Sequence, residues 1–173
     1  LLFVLFVFHQ IAFFQLFKLF QVFEIIELPK SSTPPIELLL LADPSPALIE
    51  TYLANGKCFI AQKQELTIGV IVISQESPGL LVIKNIAIDE HFQGMGIGKR
   101  LLQFAIDFGK NSGNKKLIIC TGNSSINQLA LYQKMGFEIE KIRKNFFLDH
   151  YPEAIYENGI QCKHQIELAF SFT

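Results

Sequence analysis

The chain has 173 residues, half of them hydrophobic and 18% charged, with a formal net charge of −1. This describes one globular domain with a sizeable core and excludes a disordered chain. The near-neutral balance speaks against a nucleic-acid binder, which carries a basic surplus on one face. Cys58, Cys120 and Cys162 are odd in number and far apart, with no CxxC pair. A reducing, cytoplasmic setting is therefore expected. His9, His91, His150 and His164 show no metal-ligand spacing, and Asp89-Glu90-His91 on an extended segment would point in different directions, so no metal is expected.

Leu1 to Phe23 differ from the rest, being rich in phenylalanine with leucine, valine and isoleucine between. The length suits a membrane span of roughly 20 residues. His9, Gln10, Gln15, Lys18 and Gln21 interrupt it, which makes insertion costly. A signal peptide fits poorly, since no basic region precedes the apolar run and no small-residue cleavage site follows. Three readings stand side by side for residues 1–21: translated sequence upstream of the natural start or an artefact of the gene model, a membrane or surface helix, or a core element. Membrane association is expected only through this extension, and the domain proper is assigned to residues 22–173.

Val22 to Leu28 alternates as a first strand, closed by Pro29 and the turn-rich Ser31 to Pro35. Ile36 to Ala42 predicts a short helix stopped at Asp43-Pro44. Ser45 caps a second helix that has Pro46 at its first position and ends at Asn55-Gly56. Lys57 to Gln62 and Leu66 to Gln75 read as paired strands, and Ser77-Pro78-Gly79 turns the chain into a third, Leu80 to Ile88. Ile97, Leu101, Phe104, Ala105 and Phe108 then mark one apolar helical face, ending near Gly113. Lys116 to Thr121 is nearly all apolar, as in a strand buried on both faces. Ser125 and Gln128 form a capping box for a helix that ends at Gly136. Phe137 to Lys144 and Cys162 to Phe170 supply the last strands, with a long aromatic loop between. The order predicts an α+β fold with a mixed sheet.

Gln93-Gly94-Met95-Gly96-Ile97-Gly98-Lys99 lies between a strand and a helix. A helix N-terminus has unpaired N–H groups and a partial positive charge, and glycine lets an anion approach them. Lys99 and Arg100 stand just inside the helix, where either is placed to reach a phosphate. A Walker loop is excluded by the short glycine spacing and by Arg100 where Ser or Thr belongs. The dinucleotide fingerprint fails because Lys99 occupies its third glycine position. Taken alone, the turn predicts an anion site.

Gln93, Gly96 and Gly98 match the [QR]-x-x-G-x-[GA] signature, and Ala130 to Phe137 carries a tyrosine, Tyr132, ahead of a glycine–aromatic step. In these two motifs the chain resembles the GNAT superfamily of N-acetyltransferases, and it looks like its small bacterial members. The resemblance implies the acyl-CoA N-acyltransferase fold, with a mostly antiparallel sheet flanked by helices, and acetyl-CoA as donor. It implies that the Asn85–Ile88 strand splays from its neighbour, with Ile86, Ala87 and Ile88 along the pantetheine and the Ile88 N–H at the thioester oxygen. Gln93, Gly94, Met95, Gly96, Ile97, Gly98 and Lys99 would hold the pyrophosphate, with Ser125 and Asn127 as further cofactor contacts. Tyr132 would protonate the departing thiolate.

The general base stays open among Asp89, Glu90, Glu138 and water, because Ile119-Cys120-Thr121 stands where some relatives place a glutamate. The loop from Phe146 to Gly159, with its rings and with Asp149, Glu153 and Glu157, reads either as flanking the acceptor pocket or as a surface loop anchored by aromatics. The leading expectation is acetyl transfer to a primary amine of a small molecule or peptide, with a homodimer compatible. The alternative is a non-catalytic acyl-CoA sensor of the same fold.

Overall fold

The computed structural model describes residues 23–172. The expectations for residues 1–21 therefore fall outside the described part. Among the described residues nine strands form, in chain order: β1 (Glu24–Glu27), β2 (Lys57–Lys63), β3 (Leu66–Ser77), β4 (Leu80–Ile88), β5 (Lys116–Gly122), β6 (Glu138–Arg143), β7 (Tyr156–Glu157), β8 (Ile160–Gln161) and β9 (Gln165–Ser171). Five α-helices accompany them: α1 (Ile36–Leu40), α2 (Pro46–Asn55), α3 (Ile97–Asn111), α4 (Ile126–Lys134) and α5 (Phe146–His150). Seven strands make one sheet in the order β1-β2-β3-β4-β5-β9-β6, while β7 and β8 pair as a separate hairpin. Only β4 and β5 run parallel; every other pairing is antiparallel. The α+β expectation holds.

Alternation sorts the sheet's side chains to two faces. On one, Phe59, Ile71, Ile83, Leu117, Ile119 and Leu168 pack against Leu101, Leu102 and Ala105 of α3 and Tyr132 of α4. Each fully buried leucine or isoleucine here contributes about 1.5–3 kcal/mol of transfer free energy. On the other, Ile60, Val70, Val72 and Ala87 meet Leu38 and Leu39 of α1 and Ile49 and Tyr52 of α2. Asn85 joins these layers: its amide donates to Leu39 O at 3.0 Å and to the Tyr52 hydroxyl at 2.8 Å.

Most predicted elements appear within a residue or two of their expected ends, and three departures have physical causes. β5 is not buried on both faces: Leu117 and Ile119 are buried, while Ile118 and Cys120 are only half-buried. The cause is that α1 and α2 pack on β3 and β4 rather than over β5. The expected capping box at Ser125 does not form, since its hydroxyl is bonded elsewhere (below). The region between β6 and β9 is not one loop, because it holds α5 and the β7–β8 hairpin. Asn158 and Gly159 turn that hairpin with φ of 54° and 72°, the left-handed pair that tight hairpins require.

Candidate active site

Strand β4 carries a bulge. Its ladder with β3 matches Ile83 to Ile73 and then Asn85 to Val72, leaving Lys84 as an extra residue. A bulge bends a strand and sharpens its twist. The parallel ladder with β5 stops at Ile83↔Ile119, one residue before it. From Lys84 onward β4 leans away from β5 and a wedge opens between them. The expected splay of Asn85 to Ile88 is therefore present, and a bulge marks its start.

The wedge has a defined polar wall. Asp89 N–H donates to Ile68 O at 3.1 Å, and alternation along the antiparallel ladder then assigns the backbone groups of Ala87 to Val70 of β3. Ile86 and Ile88 fall on the other parity, with N–H and C=O directed away from β3 into the wedge. Ile86 and Ile88 thus keep backbone groups that β3 does not use. Ala87 is a correction: its backbone groups are engaged by β3 and its side chain lies in the α1–α2 core.

Beyond β4, Glu90–Phe92 forms one 3₁₀ turn, and the Gln93 amide donates back to Ile88 O at 3.2 Å, tying the glycine turn to the wedge. Gly94 and Gly96 have φ of +74° and +80°, and a Cβ on either would meet nothing within 4 Å. The turn needs left-handed residues there, and the space above it is open. The first α3 bond runs from Arg100 N–H to Gly96 O at 3.1 Å, so Ile97, Gly98 and Lys99 keep N–H groups without a carbonyl in the helix. Lys99 is exposed, and Ile97 contributes only backbone because its side chain is in the core. Arg100, expected as a phosphate contact, instead donates to Phe23 O at 3.2 Å and stacks 3.8 Å above the Phe23 ring.

Tyr132 reaches from α4 into the core that includes Ile83 of β4 and Ile119 of β5. It is 5% exposed and packs beside Phe137, ring centroids 6.3 Å apart. Burial, then the nearby Cys120 and Glu157, raise its pKa above that of an ordinary tyrosine, so the phenol holds its proton. Burial also pushes the Cys120 thiol up to about 11, with Glu167 adding to the shift and Arg143 and Lys84 opposing it. A thiol so protonated is a poor nucleophile.

Comparison with known proteins decides the kinship of this arrangement. The model of the acetyltransferase (GNAT) family matches residues 20–137. The chain belongs to the GNAT acetyltransferase family. It is thus an acyltransferase that carries out acetyl transfer. The uncharacterized N-acetyltransferase YvbK of Bacillus subtilis is 47% identical over 76% of the chain and 85% of its own length. A GNAT family acetyltransferase from Elizabethkingia anophelis, solved with acetyl-CoA bound, is 47% identical with a TM-score of 0.85, covering 88% of this chain and 99% of that one. A Bacillus subtilis acetyltransferase in complex with CoA is 41% identical with a TM-score of 0.84, covering 88% and 100%.

In this acetyltransferase the turn between β5 and α4 departs from expectation. Ser125 is buried, and its hydroxyl donates to Glu157 Oε2 at 2.5 Å, so the expected cofactor contact is engaged inside the protein. Asn127 is exposed on the first turn of α4. Asn123 accepts from Lys163 and His164 N–H, both at 2.7 Å, and its amide donates to Gln161 O at 3.1 Å. Gly122 faces Cys162 so closely that a Cβ would collide with Sγ. Together these bonds hold the β7–β8 hairpin against the β5–α4 turn.

On the opposite side of the sheet, Asp43 and Tyr52, which the sequence did not single out, converge with Tyr151 of the aromatic loop. Asp43, between α1 and α2, lies within electrostatic reach of Tyr52 and Tyr151 and raises the pKa of both, after burial. Burial also raises Asp43 itself, although the Ser45 N–H donates to it at 3.0 Å. Among the described residues Asp43 forms no ion pair. The structure locates two of the carboxylates held open as bases. Asp89 accepts from His91 N–H at 2.9 Å, and Glu138 lies on β6, with β9 and β5 between it and the wedge. Among the described residues no group of three His, Cys, Asp or Glu is placed to hold a metal ion, and no helix is long and apolar enough to cross a membrane.

Proposed function

We propose that this enzyme transfers the acetyl group of acetyl-CoA to a primary amine of a small molecule or peptide, by direct attack within a ternary complex. One observation carries the reading: the wedge that opens at Lys84 continues into an open glycine turn and the free N–H groups of α3. An extended thiol arm with amide groups fits between β4 and β5, where the Ile86 backbone and the Ile88 N–H face away from β3. A pyrophosphate fits over Gly94 to Gly98, with Lys99 beside it. The Elizabethkingia relative with acetyl-CoA bound supports that donor.

Acetyl-CoA supplies an activated thioester. The Ile88 N–H is directed to stabilise the oxyanion that forms when an amine attacks its carbonyl, an effect worth about 3–4 kcal/mol in comparable sites. Tyr132 protonates the leaving thiolate, a role that suits a phenol kept protonated by burial. Burial of the Cys120 thiol, which raises its pKa, favours direct attack over a covalent acyl-enzyme. Asp43, with Tyr52 and Tyr151 near it, favours an acceptor that carries positive charge. The three free thiols suit a cytoplasmic setting.

Direct attack has a kinetic signature. Initial rates at varied acetyl-CoA and amine should give intersecting double-reciprocal lines. Parallel lines would indicate an acyl-enzyme and contradict the reading.

A further inference from the structure

The reading above leaves one role unassigned, the group that removes the amine's proton. We infer that Glu157, on the β7–β8 hairpin, is the general base of this acetyltransferase. The inference rests on the acetyl-transfer reading and names a residue of the same site.

Glu157 is held in place by its surroundings. Its Oε2 accepts from Ser125 Oγ at 2.5 Å and from Ser124 Oγ at 3.4 Å. The neighbouring Asn158 amide donates to Ser124 O at 2.8 Å, and the Cys162 N–H donates to Ile155 O at 2.8 Å, fixing the hairpin on both sides of the carboxylate. The other oxygen, Oε1, accepts no hydrogen bond from the described residues, and Glu157 makes no ion pair among them. A carboxylate anchored through one oxygen and open at the other is arranged to take a proton. Glu167 contrasts with it: buried on β9, it is bound to Arg143 at 2.6 Å.

Position along α4 puts this carboxylate beside the proposed acid. Ser125 and Tyr132 are seven residues apart, two helical turns, and so lie on one face. Long side chains on a helix lean toward its N-terminus, which carries the Tyr132 hydroxyl back toward Ser125 and its partner. The charge of Glu157 acts on the Tyr132 phenol and the Cys162 thiol, raising both after burial. The Glu157 carboxylate is thereby anchored at the N-terminus of α4, on the face that carries Tyr132.

The step balances. The acceptor ammonium gives one proton to Glu157, and the free amine forms the C–N bond to the acetyl carbon. The C–S bond breaks, and the thiolate takes the Tyr132 proton. Tyr132 is reprotonated by Glu157 or by water, with the second amine proton released to solvent. One proton is released overall for each ammonium acetylated.

Glu157→Gln separates base from anchor, because the amide oxygen still accepts from Ser125 and Ser124 and only the proton acceptor is lost. Wild type and variant are assayed from pH 6 to 10 with the best acceptor among benzylamine, tyramine, lysine, spermidine and an Ala-initiated peptide. Acetyl-CoA affinity and melting temperature are measured alongside. The expected result is a loss in kcat/KM of about 100-fold near pH 7, with acetyl-CoA affinity retained. The deficit should shrink as pH rises and the amine loses its proton in solution. A variant within threefold of wild type at pH 7, or a deficit of equal size at every pH, would overturn the assignment while leaving the acetyl-transfer reading intact. Wild-type protein that acetylates none of the amines would overturn both.

Discussion

Gly96→Val is expected to weaken acetyl-CoA binding about 100-fold, or about 2.8 kcal/mol. Two effects add. Gly96 sits at φ +80° as the first residue before α3, and a β-branched side chain in that left-handed region costs about 1–2 kcal/mol. The new Cβ also enters space that meets nothing within 4 Å, in front of the N–H groups proposed to hold the pyrophosphate. Gly98→Ala separates the causes. Its Cβ would meet Ile88 and Leu131 side-chain carbons at 3.8 Å, an ordinary contact, so the helix start should keep its geometry. Isothermal titration with acetyl-CoA reads the difference. An affinity for Gly96→Val within threefold of wild type would mean that the turn is only a helix entry.

Tyr132→Phe is expected to lower kcat by about 10²- to 10⁴-fold while leaving acetyl-CoA affinity nearly unchanged. The ring would keep its packing against Phe137 and the α3 core, so the variant should melt close to wild type. The pH dependence follows from the direction of the shift. The folded-state pKa is raised, so the phenol stays protonated below its ordinary titration and loses its proton only well above it. Tyr132 should therefore add no falling limb to the rate profile below pH 10. A kcat within a few-fold of wild type in the phenylalanine variant would remove Tyr132 from the mechanism.

Local patterns carried much of this site. The periodic face of α3, the end of β4 and the glycine turn are contiguous in sequence, and each appears where its pattern puts it. Residues whose roles depend on distant partners were not legible. Ser125 with Gln128 reads as a capping box, yet a carboxylate 32 residues away takes the serine hydroxyl. Arg100 beside the glycines reads as a phosphate contact, yet Phe23, 77 residues away, engages its guanidinium. The Lys84 bulge leaves no mark in β4, because a bulge is a property of the pairing. Parity within the ladder likewise separates Ile86 and Ile88 from Ala87, and periodicity alone does not say which set faces outward. Asp43 reads as a helix stop, and only the fold brings it toward Tyr52 and Tyr151. One missed signal was local: Asn158-Gly159 between short runs marks a tight hairpin, and it fixes where Glu157 stands.

The most direct test of acetyl transfer to an amine is to incubate the protein with acetyl-CoA and a panel of primary amines, following free CoA and identifying products by mass spectrometry. The account predicts CoA release matched one-for-one by an N-acetylated amine, and strongly reduced in Tyr132→Phe. Tight acetyl-CoA binding with no acetylated product across the panel would contradict it and favour a sensor of acyl-CoA.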